Sequence, residues 1–202
     1  MMDLEELLAQ TAVLHKHLCP RQVLGVRMGL FSGELLGLEL PQSRKRLLTI
    51  METDGCGADG VAVATNCWVG RRTMRIEDYG KMAATFVDTR TETAVRVYPH
   101  PLCRETALKY APEAKNKWQG YLLGYQRMPT EELLAYQLVQ LRRPVAELIS
   151  KPGLRTLCDR CGEEIINQRE VKQRDLTLCK GCAGEAYYAI CDQIAFLQSS
   201  DG

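Results

Sequence analysis

RLLTIMETDGCGADGVAVATN, residues 46 to 66, joins a short apolar run to an alanine-rich one through the dipeptide Asp54-Gly55. Arg46 to Thr53 is brief, apolar and bounded by polar residues, which predicts a buried strand, and Cys56 to Asn66 predicts a helix. Downstream, KMAATFVD (81–88) and TAVRVYPH (93–100) read as two further strands, joined as a hairpin around Thr89 to Glu92. Upstream, Leu4, Leu7, Leu8, Thr11, Leu14 and Leu18 recur every three or four residues, the stripe of an amphipathic helix ending near His17 to Cys19. Pro20 suits the first turn of a second helix running towards Leu36, and Gly25, Gly29 and Gly33 line one face of it, where another backbone can come close. After Pro101 the chain is expected to turn helical again, with Thr130 as the N-cap of a helix over Glu131 to Leu141.

The 202 residues suit one core plus a small appendage, and an apolar share of 46% with 25% charged residues is that of a globular protein. No apolar run approaches the roughly 20 residues needed to cross a bilayer. The opening MMDLEELLAQ is acidic where a secretory signal carries positive charge, so a cytoplasmic location with reduced thiols is expected. A net charge of +1 gives no global attraction to nucleic acid or to a membrane, and neither is expected as a partner. The sequence has no internal repeat and no low-complexity tract.

Cys158, Cys161, Cys179 and Cys182 follow the pattern C-x2-C-x17-C-x2-C, the spacing of a tetrahedral zinc site with four thiolate ligands. The interval holds EEII, REVK and LTL, which suit short strands. KGCAGEAYYAICDQIAFL reads as a helix that would set Cys179 and Cys182 at its N-terminus, the layout of a treble clef. Four protein ligands leave no open position, so this zinc is expected to be structural rather than catalytic, and two matched pairs explain each other better than a redox C-x-x-C does. Cys191, beyond the pattern, reads as a buried thiol. Pro144, Pro152 and Gly153 place a boundary between about Arg143 and Arg155, giving a core over 1–150 and a zinc-finger domain over 151–202. The fragment LCDRCGEEI…LCKGCA resembles the TraR/DksA type of zinc finger over the last fifth of the chain.

HKHLCP gathers His15, His17 and Cys19 where one helix ends and another begins, and imidazole with thiolate is a ligand set for zinc or another transition metal. Cys19 precedes Pro20 at a helix N-terminus and Cys56 opens the alanine-rich helix, so both are expected to have a lowered pKa. Asp59 lies one turn beyond Cys56 on nearly the same face. The alternative sets His15 at the edge of the amphipathic stripe and His17 on the surface, with Cys19 and Cys56 as small core thiols.

HKHLCPRQVLGVRMGL, with ETDGCGADGVAVATNCWVGRRTMRIEDYGKMAATFVD, resembles the FmdE family of formylmethanofuran dehydrogenase subunits over roughly residues 10 to 100. The carriers are an H-x-H-x-C-P element, a C-x-x-D element opening a helix, a further cysteine, Cys67, and a D-Y-G-K element before a strand. The resemblance implies an α+β fold, a mixed β-sheet flanked by helices and sometimes described as thioredoxin-like, bearing a metal-binding active site. It implies His17, Cys19 and Cys56 as ligands, with His15 and Cys67 next, Asp59 orienting a histidine, and Lys81 supplying positive charge. Lys16 and Arg21 stand where the family commonly has glycine, and TNCW surrounds Cys67, so the pocket wall is altered and Trp68 adds bulk to it.

Three functions follow from these features. The first is a metal-binding accessory protein, partnered by other subunits of a molybdenum or tungsten formylmethanofuran dehydrogenase-like complex or by a second copy of itself, and not that complex's pterin-bearing catalytic component. The second is a stand-alone metal- or thiol-dependent enzyme, with Cys19 and Cys56 as catalytic groups acting on a small one-carbon or thiol substrate. The third is regulatory, with the finger's Arg155, Arg160, Lys172, Arg174 and Lys180 as a docking face, although Asp159, Glu163, Glu164 and Asp175 are interleaved with them.

Overall fold

The strand expected around residue 50 is β1 (Leu47–Met51), and every other strand of the main sheet is placed by reference to it. The structure, a computed structural model, describes residues 3–190. The chain divides into two compact units, Met1–Ile149 and Ser150–Gly202.

In the first unit β1 pairs in parallel with β2 (Met74–Ile76) and antiparallel with β3 (Ala84–Asp88). β3 pairs with β4 (Ala94–Pro99), and β4 with β5 (Leu134–Val139), giving the order β2-β1-β3-β4-β5. The sheet is mixed because β1 reaches its parallel neighbour through a helix and its antiparallel one through the longer route past β2. The period-2 alternation then sorts the side chains. Leu47, Met51, Ala84, Phe86, Val95 and Val97 face a core shared with α1 (Leu4–His15), α2 (Pro20–Leu36) and α3 (Cys56–Thr65). Leu48, Val87 and Ala94 face the opposite way, onto Val145 and Leu148 of the short helix Val145–Leu148. The fold is therefore α+β, a five-stranded mixed sheet flanked by helices.

Local chemistry sets the helix ends. Asp3 and Glu6 cap α1 reciprocally, the Glu6 amide donating to Asp3 Oδ1 at 2.8 Å and the Asp3 amide to Glu6 Oε2 at 3.2 Å. Lys16, left-handed at φ 61°, stops α1 just before the histidine-cysteine segment. Pro20 occupies the first position of α2, where its missing N–H costs nothing. Gly55, at φ 79° and ψ −152°, turns the chain from β1 into α3, a conformation that a side chain would strain.

The glycine row of α2 does what its spacing predicts. A Cβ at Gly25 would lie 2.3 Å from the Gly57 carbonyl oxygen, and one at Gly60 of α3 would lie 2.3 Å from the Gln22 carbonyl oxygen. The two helices thus touch backbone to backbone, and their N-termini are held side by side.

Two expectations change. Residues 131–141 are not a helix: one turn (Thr130–Leu133) leads directly into β5, which pairs with all six residues of β4. The open edge of β4 supplies hydrogen bonds that a surface helix would not, and Thr130 is engaged elsewhere, its hydroxyl accepting from Arg27 Nη2 at 3.0 Å. Secondly, β2, three residues long, was hidden in the polar stretch after Cys67. The rest of this unit is α4 (Cys103–Lys109) and α5 (Lys117–Arg127), the latter fixed by Arg27, which donates to the carbonyls of Tyr125 and Met128.

The second unit consists of two hairpins, β6 (Arg155–Leu157) with β7 (Glu164–Ile166) and β8 (Val171–Gln173) with β9 (Leu176–Leu178). After β9 comes one wide turn, Gly181–Glu185, interrupted by Gly184 at φ 106°. Ala186 is extended, so the expected helix does not run through residues 186–190. Cys191 lies outside the described residues.

Gly60→Ala separates two opposing terms: alanine gains up to ~1 kcal/mol of helix propensity, but the clash with Gln22 backbone costs about 1–3 kcal/mol. Net destabilisation in denaturant unfolding is expected. Gly70→Ala, where an added Cβ meets open space, is expected to leave the midpoint unchanged. A second prediction concerns pH. Asp88 receives Arg46 Nε and Nη2 at 3.0 and 2.7 Å, and this guanidinium holds its carboxyl down at about 2. A depressed carboxylate stabilises the fold above its unfolded pKa of ~3.9, and that stability is lost as pH falls through 2. Arg46 is 43% exposed and solvent-screened, so the effect is at most about 2 kcal/mol. Asp88→Asn is expected to flatten the stability profile between about pH 4 and pH 2.

Candidate metal centres

Cys158, Cys161, Cys179 and Cys182 come together from the two hairpins: all four sulfur atoms lie within 4.8 Å of one another. A tetrahedral ion with metal–sulfur bonds of ~2.3 Å needs sulfurs about 3.8 Å apart. Cys161 Sγ and Cys179 Sγ are 4.0 Å apart and no pair exceeds 4.8 Å, so the cluster fits such an ion with shifts of about 1 Å or less. Each pair is shaped by a tight turn. The Cys179 amide donates to Cys158 Sγ and the Cys182 amide to Cys179 Sγ, both at 3.3 Å, and such bonds stabilise thiolate over thiol. Backbone N–H groups, that of Cys161 foremost and that of Cys179 next, bring Cys158 down to about 6. Cys182 is pushed up to about 12, chiefly by its hydrogen bond with the Cys179 sulfur and then by burial. A cluster of four thiols in mutual contact resists losing its last protons, and a cation removes that resistance. Asp159 ties the first turn to β9, its amide donating to the Thr177 carbonyl at 2.8 Å and its carboxylate accepting from the Thr177 amide at 2.6 Å. Arg160 donates to the Cys182 carbonyl. With four protein donors the cluster can hold a metal ion and leaves no position for a substrate.

The second candidate is in the first unit, where β1 ends and α3 begins. In a strand–helix–strand crossover the crevice at the carboxyl end of the strand is where ligands bind. Cys56 is the first residue of α3 and Cys19 the N-cap of α2. Because the helices touch at Gly25 and Gly60, the two cysteines stand at adjacent helix starts. Cys19 is 9% exposed and Cys56 half-buried. The lowered pKa expected for Cys56 is not found. Burial pushes its thiol up, the neighbouring Cys19 thiol adds to this, and the Asp59 carboxylate contributes in the same direction. Burial, with another thiol and a carboxylate adding to it, outweighs the positive end of a ten-residue helix.

The other expected site residues are placed as follows. His17 is exposed on the connection between α1 and α2, and no group of three metal-binding side chains within 4.8 Å forms around it among the described residues. His15 closes α1, and its side chain lies outside the described residues. Lys81 is exposed, and its amide donates to the Glu52 carbonyl at 3.1 Å, which keeps the D-Y-G-K turn against the end of β1. Cys67 is not brought to the pair. It follows the far end of α3, about 15 Å from Cys56 at ~1.5 Å per residue, fully buried. Its thiol accepts from Gln42 Nε2 at 3.1 Å and faces the Leu47 carbonyl at 3.4 Å, a structural role. Trp68 is likewise remote, lining with Val13, Leu14 and Pro41 a separate groove of 520 Å³.

Two residues escaped the sequence reading. Gln22, fully buried, accepts the Cys19 amide on Oε1 at 2.7 Å, and its Nε2 has no hydrogen-bond partner among the described residues. The two ends of an amide are about 2.2 Å apart, so Nε2 lies within about 5 Å of the Cys19 amide nitrogen. The spacing C-x-x-Q, with Gln22 at the third helical position, is a capping-box spacing and could have revealed it. Met82 places its thioether against Gly57, where a Cβ would lie 2.5 Å from Sδ.

A family model described as "FmdE, Molybdenum formylmethanofuran dehydrogenase operon" matches residues 14–135, a span that contains Cys19, Cys56, Asp59 and Lys81 and stops short of the four-cysteine cluster. A probable S-adenosyl-L-methionine-binding protein of Archaeoglobus fulgidus is 32% identical over 93% of this chain. The chain spans only 55% of that relative's length. A solved structure, that of a tungsten formylmethanofuran dehydrogenase FmdE-like protein from Syntrophus aciditrophicus, shares the fold with a TM-score of 0.58, at 22% identity over 93% of this chain and 96% of that one.

Metal affinity at the four-cysteine cluster is expected to rise with pH, because ligation displaces thiol protons. Competition against a chelator from about pH 8 to about pH 5 checks this. Retention is expected to weaken steeply as pH falls past 6, where Cys158 regains its proton. Retention that stays flat across the range would contradict the ligand set.

Proposed function

We propose, on the premise that this chain belongs to the FmdE family, that it is a metal-binding accessory protein with a closed zinc site in its second unit and an open one in its first. The observation that carries the open site is the placing of Cys19 and Cys56 at two adjacent helix starts at the carboxyl end of β1. Two thiolates on two helix N-termini form a half-shell for a thiophilic cation such as zinc. His17, two residues before Cys19, supplies the third donor when its exposed connection turns inward, with His15 as the alternative. Asp59 and Lys81 then act at the rim, the carboxylate orienting a histidine and the ammonium drawing an anionic group. The unpartnered Gln22 Nε2 supports a ligand at this place, since a buried amide donor without an acceptor costs about 1–3 kcal/mol.

Zinc suits the four-cysteine cluster by its preference for four thiolates in a tetrahedron, and residues 151–202 act as a finger domain beside a core over 1–150. Among the described residues no helix is long and apolar enough to cross a membrane, in keeping with a cytoplasmic protein that works alongside other subunits of a formylmethanofuran dehydrogenase-like complex. A nucleophilic enzyme is the weaker reading, because Cys56 is held towards its neutral thiol.

Metal analysis of the purified full chain tests this. About two zinc ions per chain are expected, falling to about one in Cys19→Ala and in Cys56→Ala, and to about one in Cys161→Ser. Undiminished metal in both N-terminal variants would remove the open site and leave the closed one standing.

A further inference from the structure

We propose that the outer edge of β5 is an interface whose occupant is the β5 of a second copy of this chain, paired antiparallel so that the two sheets become one. Nothing in this inference depends on a metal.

The two edges of the sheet are built differently. β2 is three residues long and runs straight into Glu77, a short, charged edge of the kind that discourages pairing. β5 is six residues long, and β4 occupies its inner side in an unbroken register from Leu134 to Val139, so no bulge turns it away. Its sequence, LAYQLV, contains no charged residue and no proline. Among the described residues no strand lies on its outer side, which leaves a row of backbone donors and acceptors open to another chain. Exposed apolar surface marks the same place. Tyr136 and Leu138, two residues apart and so on one face, are 49% and 76% exposed. Tyr136 is held edge-on against Phe31 of α2, with ring centroids 5.8 Å apart.

The charges beside the strand select a second copy in antiparallel orientation. Glu131 and Glu132 are exposed just before β5, and Arg142 and Arg143 are exposed just after it. Two β5 strands related by a two-fold axis bring the acidic start of each to the basic end of the other, whereas a parallel pair would set like charges together. Symmetry also limits the register, because a two-fold axis normal to the sheet must pass through a residue that faces its own copy. With the neutral Gln137 on the axis, Tyr136 faces Leu138 of the second copy and Leu138 faces its Tyr136. The same register sets Glu132 level with Arg142 of the second copy, and Glu131 level with its Arg143. The exposed apolar pair is thus covered by itself, and no charge meets its like.

Sedimentation velocity of the full chain from about 1 to about 100 μM tests this, with the unfolding midpoint read for every variant. The wild type is expected to pass from one chain to two as concentration rises. Leu138→Lys, at a side chain already 76% exposed, is expected to keep the midpoint and weaken the dimer about tenfold or more. Glu132→Arg and Arg142→Glu are each expected to weaken it, and the two substitutions in one chain to restore it, because opposite signs again face each other. Glu132 also accepts from the Tyr110 hydroxyl at 2.9 Å, and the double variant separates that loss from the charge effect. A wild type that stays a single chain throughout gives the edge to a different protein and overturns the proposal. A dimer that Leu138→Lys leaves intact places the interface elsewhere and overturns it as well. A dimer weakened by both charge reversals and not restored by their combination, at unchanged midpoints, overturns the two-fold register.

Discussion

The first unit depends on the contact between α2 and α3, where two helix backbones approach too closely for any side chain to come between them. Gly25 and Gly60 are each placed so that a methyl group would sit 2.3 Å from the other helix's carbonyl oxygen. A contact this tight fixes translation along both axes as well as distance, because sliding either helix by one residue would place a side chain in the seam. The consequence falls at the N-termini. Cys19 and Cys56 could each be an isolated thiol on a helix end; the seam makes them a pair. Gln22 belongs to the same arrangement, since its carbonyl faces Gly60 while its side chain holds the Cys19 amide.

The two sulfur groups differ in how they are made. The four-cysteine cluster is assembled within about twenty-five residues by two hairpins and their tight turns, and the same turns supply the amide donors that favour thiolate. The Cys19–Cys56 pair is assembled across tertiary structure and has only two sulfurs, one of them half-buried. The first is complete in itself, which suits holding a small unit together. The second is incomplete, which suits exchange of ligands.

Much of this was legible in the sequence where spacing is itself the physical constraint. The C-x2-C pairs, the glycine row at every fourth residue, the Asp54-Gly55 turn between strand and helix, and the two strands of the β3–β4 hairpin each encode geometry locally. What was missed depends on partners far away in the chain. Leu134–Val139 carries a helix-compatible composition and becomes a strand because β4 offers a free edge. Cys67 shares a motif with Cys56, yet ten residues of α3 carry it away from the pair and into a network with Gln42 and Leu47. The pKa of Cys56 reverses for the same reason: a helix start can be read from residue order, but the burial of that thiol, and the second thiol across the seam, cannot.

Whether a metal ion sits between the two helix N-termini is tested most directly by anomalous diffraction at the zinc edge, on crystals of the metal-replete full chain. Two anomalous peaks per chain are expected, one within the cluster of Cys158, Cys161, Cys179 and Cys182 and one within bonding distance of both Cys19 Sγ and Cys56 Sγ. A single peak at the four-cysteine cluster, with Cys19 and Cys56 ordered, reduced and bare, would contradict a metal at that place.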